Sequence, residues 1–118
     1  KLKLLIMSDE VLFKRAEKVI KSHKLYLRSD MSRKLLDKYV HIPKNKFATV
    51  FREQSGFSFP SYINDMRLDH AASMLLSHPS HTIESVAIDC GLPIQQTFYR
   101  LFKAKFGMTP TEFRAANL

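Results

Sequence analysis

Residues 91–114 read GLPIQQTFYRLFKAKFGMTPTEFR, and the parsing of this stretch decides the fold of the whole chain. Gly-Leu-Pro makes a turn. Phe98, Leu101, Phe102 and Phe106 then recur at helical spacing and form one buried stripe. Gly107 ends that helix, and the Thr109-Pro110 pair opens another, with Thr as cap and Pro at the first helical position. The remaining helical surface carries Gln95, Gln96, Tyr99, Arg100 and Lys103. Amides and a guanidinium on the exposed face of a short, tightly turned helix are the groups that read base edges in a major groove.

The same pattern occurs 51 residues earlier. Phe47, Val50 and Phe51 fall on Phe98, Leu101 and Phe102; Arg52 falls on Lys103, Gly56 on Gly107, Ser58 on Thr109 and Tyr62 on Phe113. Each copy follows a short apolar-faced helix and a tight turn. The economical architecture is an all-α domain of seven helices, with two helix-turn-helix motifs joined by a long central helix. If the two polar faces lie about one DNA turn (~34 Å) apart, both enter successive major-groove segments.

From this repeat the rest of the chain can be placed. Residues 1–8, KLKLLIMS, are a linker, the end of an upstream element or a segment docking on the domain, and the sequence leaves all three open. The domain proper is expected over 9–118. Asp9 and Glu10 suit a helix start, and Leu12, Ala16, Val19 and Ile20 make its apolar stripe as far as His23. Its basic face is read as solvated, adding at most long-range attraction. The first helix-turn-helix spans about 30–56: a helix capped by Ser29 or Asp30, a turn at His41-Ile42-Pro43, and a reading helix over 44–55. The central helix runs over about 60–77; its apolar residues wrap too widely for a single stripe, so elements should pack on both of its sides. The second helix-turn-helix spans about 82–107, opened by Thr82. Phe47, Phe51, Phe98, Phe102 and Phe106 are core rather than stacking platforms, and Arg67 is expected to pair with an acid such as Asp69 or Glu84 or to cap a helix end.

Composition narrows the function. The 118 residues are 45% hydrophobic with only three glycines, which suits one globular helical domain. No apolar run approaches the ~18 residues that span a bilayer. The chain opens at Lys1 without an initiator Met or signal-peptide pattern, which predicts a domain excised from a larger protein; a cytoplasmic location is expected, with a membrane tether of the parent left open. The formal charge of +8 calls for an anionic partner, and residues 1–46 hold 13 of the 19 basic side chains against five acids. The lone Cys90 is buried filler. His78 and His81 are separated by a proline and lack a third ligand, so no metal site is expected. Glu84 and Asp89 make no acid pair, and neither a nucleophile-base set nor a phosphate-cradling glycine loop is present. The sequence therefore predicts no enzyme activity, cofactor or small-molecule site.

At this density the motif resembles a known family. ESVAIDCGLPIQQTFYRLFKAKFGMTPTEFR is similar to the C-terminal signature of the AraC/XylS family of bacterial transcription regulators, and the similarity spans about residues 9–116. The resemblance implies sequence-specific binding of double-stranded DNA as the output domain of a regulator, with helices three and six as readers. It also implies an upstream sensing or dimerisation domain, and RNA polymerase as a partner if the parent is an activator. By position it assigns base readout to Gln95, Gln96, Thr97 and Arg100 in the second unit and to Asn45, Ala48 and Thr49 in the first. Lys44, Lys46, Arg52, Lys103, Tyr99 and the helix starts at Ser32 and Thr82 fall to phosphate. The first unit departs from the pattern, having Val40 or His41 where a turn glycine is usual; Leu92 stands where Phe is commoner. A helical protein-interaction module that keeps this fold without binding DNA is the alternative.

Overall fold

The computed structural model describes residues 7–118; residues 1–6, most of the stretch whose role the sequence leaves open, lie outside the described residues. Among the described residues seven α-helices and two 3-10 turns follow one another, and no strand occurs. The helices are α1 (Asp9–Ser22), α2 (Arg33–Asp37), α3 (Phe47–Ser55), α4 (Phe59–Ser77), α5 (Ile83–Asp89), α6 (Gln95–Phe106) and α7 (Pro110–Ala116). The 3-10 turns are Leu25–Leu27 and Lys44–Lys46. The chain divides into two compact units. The first is the chain up to Leu25 with Asp30–Tyr62, and the second is Tyr26–Ser29 with Ile63–Leu118.

In the first unit, α1 starts where Ser8 accepts a hydrogen bond from the Val11 amide, with Asp9 and Glu10 favourably placed against the helix dipole. Its stripe of Leu12, Phe13, Ala16 and Ile20 is buried. Phe13 meets Phe51 edge-on at 5.4 Å and Tyr62 at 5.6 Å, so the first turn of α4 closes this core. Tyr62 is buried but keeps its hydroxyl bonded, donating to Glu17 at 2.8 Å. Ser32, not Ser29 or Asp30, caps α2: its backbone is extended and its hydroxyl accepts from the Leu35 amide at 3.1 Å. The expected reading helix over 44–55 is also divided. Lys44–Lys46 forms a 3-10 turn behind Pro43, and the α-helix begins at Phe47.

In the second unit, Leu68, Ala71 and Leu75 of α4 pack with Val86, Ala87, Leu92, Phe98 and Phe102 in one buried cluster. Leu76, one of the apolar residues that wrap around this helix, is 45% exposed, so α4 buries a narrower set of side chains than its composition suggests. Lys105 on α6 bonds both Asp65 (2.6 Å) and Asp69 (2.8 Å) of α4. Burial works against its charge, but the two carboxylates outweigh it and hold its pKa up. Arg114 of α7 donates to the backbone oxygens of Leu75, His81 and His78, capping the α4 end and the loop after it.

Arg67 does not pair with Asp69 or Glu84. Its Nε donates to Tyr26 O and its Nη2 to Arg28 O, both at 2.6 Å, while Nη1 reaches Asn64 Oδ1 at 3.0 Å. Backbone carbonyls satisfy this buried guanidinium because the Tyr26–Ser29 segment lies across it. Burial lowers its pKa from the usual guanidinium value.

The repeat survives in atomic detail. Gly56 and Gly107 both take positive φ (82° and 76°) and return their amides to Arg52 O and Lys103 O. Ser58 and Thr109 each accept a hydrogen bond from the amide three residues on, and Thr109 adds a reciprocal capping box with Glu112. Tyr62 then meets Phe51 edge-on at 5.5 Å, as Phe113 meets Phe102 at 5.4 Å.

Candidate nucleic-acid interface

Each unit presents a short lead helix, a turn and a second helix whose outer face is polar. In the second unit Thr82 caps α5, accepting from the Ser85 amide at 3.0 Å. The turn then depends on Gly91. Its φ is +90°, and a Cβ there would lie 2.8 Å from Leu27 O and 3.0 Å from Arg67 Nε. The Gly91 and Leu92 amides bond back to Ile88 O and Ala87 O, and the Leu92 side chain is buried. The start of α6 is therefore held by this turn before any partner arrives.

On α6, Phe98 and Phe102 are fully buried, while Leu101 and Phe106 pack half-buried against the same cluster. Gln96, Arg100 and Lys103 are exposed at i, i+4 and i+7 and so form one row along the outer face. Thr97 and Gln95 flank it, both half-buried. The Gln95 Nε2 is fully buried without a hydrogen-bond partner, so in this conformation Gln95 does not offer both amide atoms to a base. Tyr99 packs edge-on to Phe98 at 6.1 Å and against the core, which leaves it only partly accessible.

The first unit places Asn45, Thr49 and Arg52, all exposed, at the positions that repeat Gln96, Arg100 and Lys103. Ala48 and Lys44 are exposed beside them. Because Asn45 and Lys44 sit in the 3-10 turn, their side chains do not continue the α-helical row of Ala48, Thr49 and Arg52. Lys46 is not free: its Nζ bonds Asp9 at 2.8 Å. The hydroxyls of Ser32 and Thr82 are likewise engaged as caps of their own helices. The turn of the first unit needs no glycine, since among the described residues Lys24 alone of the non-glycines has positive φ.

One residue at this surface escapes a reading by periodicity. Ile94 lies four before Phe98 and eight before Phe102, a spacing that assigns it to the buried stripe, yet it is 66% exposed. It is the N-cap of α6 with an extended backbone, outside the helical repeat that the spacing assumes.

Two repeated helix-turn-helix units on one all-helical chain define a class of regulator domain. The family model described as "Helix-turn-helix domain" matches residues 36–116. The chain belongs to this family and is a DNA-binding domain of the AraC/XylS type. Among curated proteins it is similar to the HTH-type transcriptional activator RhaR of Yersinia pseudotuberculosis, with 37% identity over 65 residues. That match covers 55% of this chain and 22% of the relative's length. Among solved structures, the C-terminal domain of AraT, a response regulator from Geobacillus stearothermophilus, superposes with a TM-score of 0.78 at 24% identity, covering 89% of this chain and 84% of that one. The DNA-binding domain of AdpA, a global transcriptional factor solved with a target DNA, gives 0.75 at 20% identity, covering 86% and 91%. At these identities the two structures attest the shared fold.

Proposed function

We propose that the domain binds duplex DNA sequence-specifically, reading bases from the major groove with α6 and with the Lys44–Lys46 turn and α3 of the first unit, as the output module of a bacterial transcription regulator. The observation that carries this reading is the exposed row Gln96, Arg100 and Lys103 on a helix whose start is held by Gly91 and Leu92. Gln96 can bond adenine N6 and N7, and Arg100 guanine O6 and N7. Thr97, with Gln95 once its side chain turns outward, extends the readout. The first unit contributes a smaller share, Asn45 by bonding adenine and Ala48 and Thr49 mostly through methyl contacts. Lys44, Arg52 and Lys103 take phosphates, with Tyr99 at the margin. Lys46 joins them only by leaving Asp9, and Ser32 and Thr82 contribute through the amides of the helix starts they cap.

Phosphate contacts supply most of the affinity and the amide and guanidinium contacts the selectivity. In the whole regulator, an upstream sensing or dimerisation domain would control the module, and an activator would pass the signal to RNA polymerase. Selection of bound sequences from a random duplex pool, followed by titration at several salt concentrations, tests the proposal. The expected result is an enriched motif with two separable blocks and a steep loss of affinity with salt. Failure to bind any duplex at low salt would favour the protein-interaction alternative.

A further inference from the structure

Ile94 stands at the head of the proposed reading helix, where the N-terminal residues of a recognition helix meet base edges. It fills an N-cap position, which favours Ser, Thr, Asp or Asn, and makes no side-chain capping bond. Among the described large hydrophobic residues, the terminal Leu118 alone is more exposed. An apolar side chain here thus gives up a cap and leaves its surface in water, and neither helix nor core gains from it. Its backbone is nevertheless held. Leu92 is anchored in the core, Pro93 follows, and Ile94 O accepts the first helical hydrogen bond from the Phe98 amide at 3.0 Å. The residue therefore precedes Gln95 and Gln96 with little backbone freedom and an exposed side chain.

We propose that Ile94 is a specificity-determining residue that packs on the 5-methyl group of a thymine in the block read by α6. The major groove displays one methyl group per A·T pair, on thymine, and an apolar side chain is the partner that distinguishes it from cytosine's bare edge. Burial of the exposed Ile surface against that methyl favours T at one position, next to the bases taken by Gln96 and Arg100. This assignment rests on the DNA-binding reading above.

The experiment uses the 118-residue chain and its selected duplex, with each thymine replaced singly by deoxyuridine, which removes the methyl and leaves pairing unchanged. For the wild type, one thymine in the block whose preference relaxes in Arg100→Ala should show a three- to fivefold loss of affinity, the effect of one methyl-sized group leaving an apolar contact. In Ile94→Ala that loss should vanish, with other methyl-sensitive positions unchanged. Ile94→Ser introduces a helix-favouring cap, so it should remain folded by circular dichroism and bind with the preference for T at that position relaxed. The inference is overturned if no thymine in that block is methyl-sensitive, or if every sensitive position stays so in Ile94→Ala. It is equally overturned if Ile94→Ser keeps the wild-type preference. Those results leave DNA binding intact; a wild-type chain that binds no duplex would instead remove the functional reading itself.

Discussion

Gly56 and Gly107 close equivalent helices in the two units with nearly the same geometry, but the turns that lead into those helices are built differently. The second turn depends on Gly91, pressed against Leu27 O and Arg67; the first passes through Val40 and His41 without a left-handed residue. Charge divides the units as well. The first unit carries 13 basic and six acidic residues, a net +7, and the second six basic and five acidic, a net +1. Within the second unit Arg67, Lys105 and Arg114 are committed to internal bonds, while Arg100 and Lys103 stand exposed on the reading helix. The two copies keep one scaffold, and on the proposed reading they divide two tasks. The first is rich in charge that attracts an anionic backbone, and the second holds a constrained row of groups suited to choosing bases.

The turn difference should produce the largest effect. Gly91→Ala combines a strained φ with a backbone clash and should cost about 3–4 kcal/mol in urea unfolding. Gly56→Ala and Gly107→Ala, with open space around the added Cβ, should cost about 1–2 kcal/mol from φ alone. Equal losses at all three glycines would contradict the distinction drawn between the turns.

Next comes alkaline pH, which should act on the buried Tyr62 hydroxyl of the first unit and on Cys90 of the second, the latter isolated by a Cys90 variant. Burial pushes the Cys90 thiol up from 9.0 to about 11. Its folded pKa lies above the unfolded one, so its contribution is complete below pH 9 and is lost as pH rises to about 11. The loss, on the order of 2 kcal/mol, should be missing from Cys90→Ala when the two chains are compared by unfolding at pH 8 and pH 11. Identical pH profiles would show that the thiol is hydrated in solution.

DNA binding should separate the units more finely. Arg100→Ala should relax preference at one or two adjacent base pairs by about 1–3 kcal/mol, while Lys103→Ala weakens binding evenly on all sequences. Uniform losses in both, with base preference unchanged, would remove α6 as reader. The smallest effect concerns Asp9. Asp9→Asn releases Lys46 and should steepen the slope of log affinity against log salt by up to about 0.9, with no change in the selected motif.

Much of this was legible in the chain because the helices announce themselves through Phe47, Phe51, Phe98 and Phe102 at helical spacing and through stop glycines and Thr or Ser caps. The repeat made the second copy a check on the first. What the sequence hid lies where local pattern and long-range contact compete. Pro43 forces a 3-10 start that no apolar period records, and Ser32 outcompetes Ser29 and Asp30 because the segment before it is drawn onto Arg67. The expectation that Arg67 meets a carboxylate failed because carbonyl acceptors leave no mark in a sequence. At the candidate site, exposure separated Gln96 and Arg100 from the half-buried Gln95, and Asp9 proved to occupy Lys46. Those pairings join residues far apart along the chain or depend on a particular rotamer.

The bond between Arg67 and the Tyr26–Ser29 segment also bears on how such a domain can be cut and exchanged. The polypeptide leaves the first unit after Leu25, spends four residues in the second, returns, and leaves again after Tyr62. A fragment trimmed to residues 36–116 would lose the Ser32 cap and most of α2 from the first motif, and around the intact second motif it would strip two carbonyl acceptors from a buried guanidinium and one wall from the Gly91 turn. The two motifs are copies in sequence, but they are not interchangeable cassettes. A chimera that swaps the second reading helix will need its host's 26–29 strap, and the most distant useful junction lies upstream of both motifs.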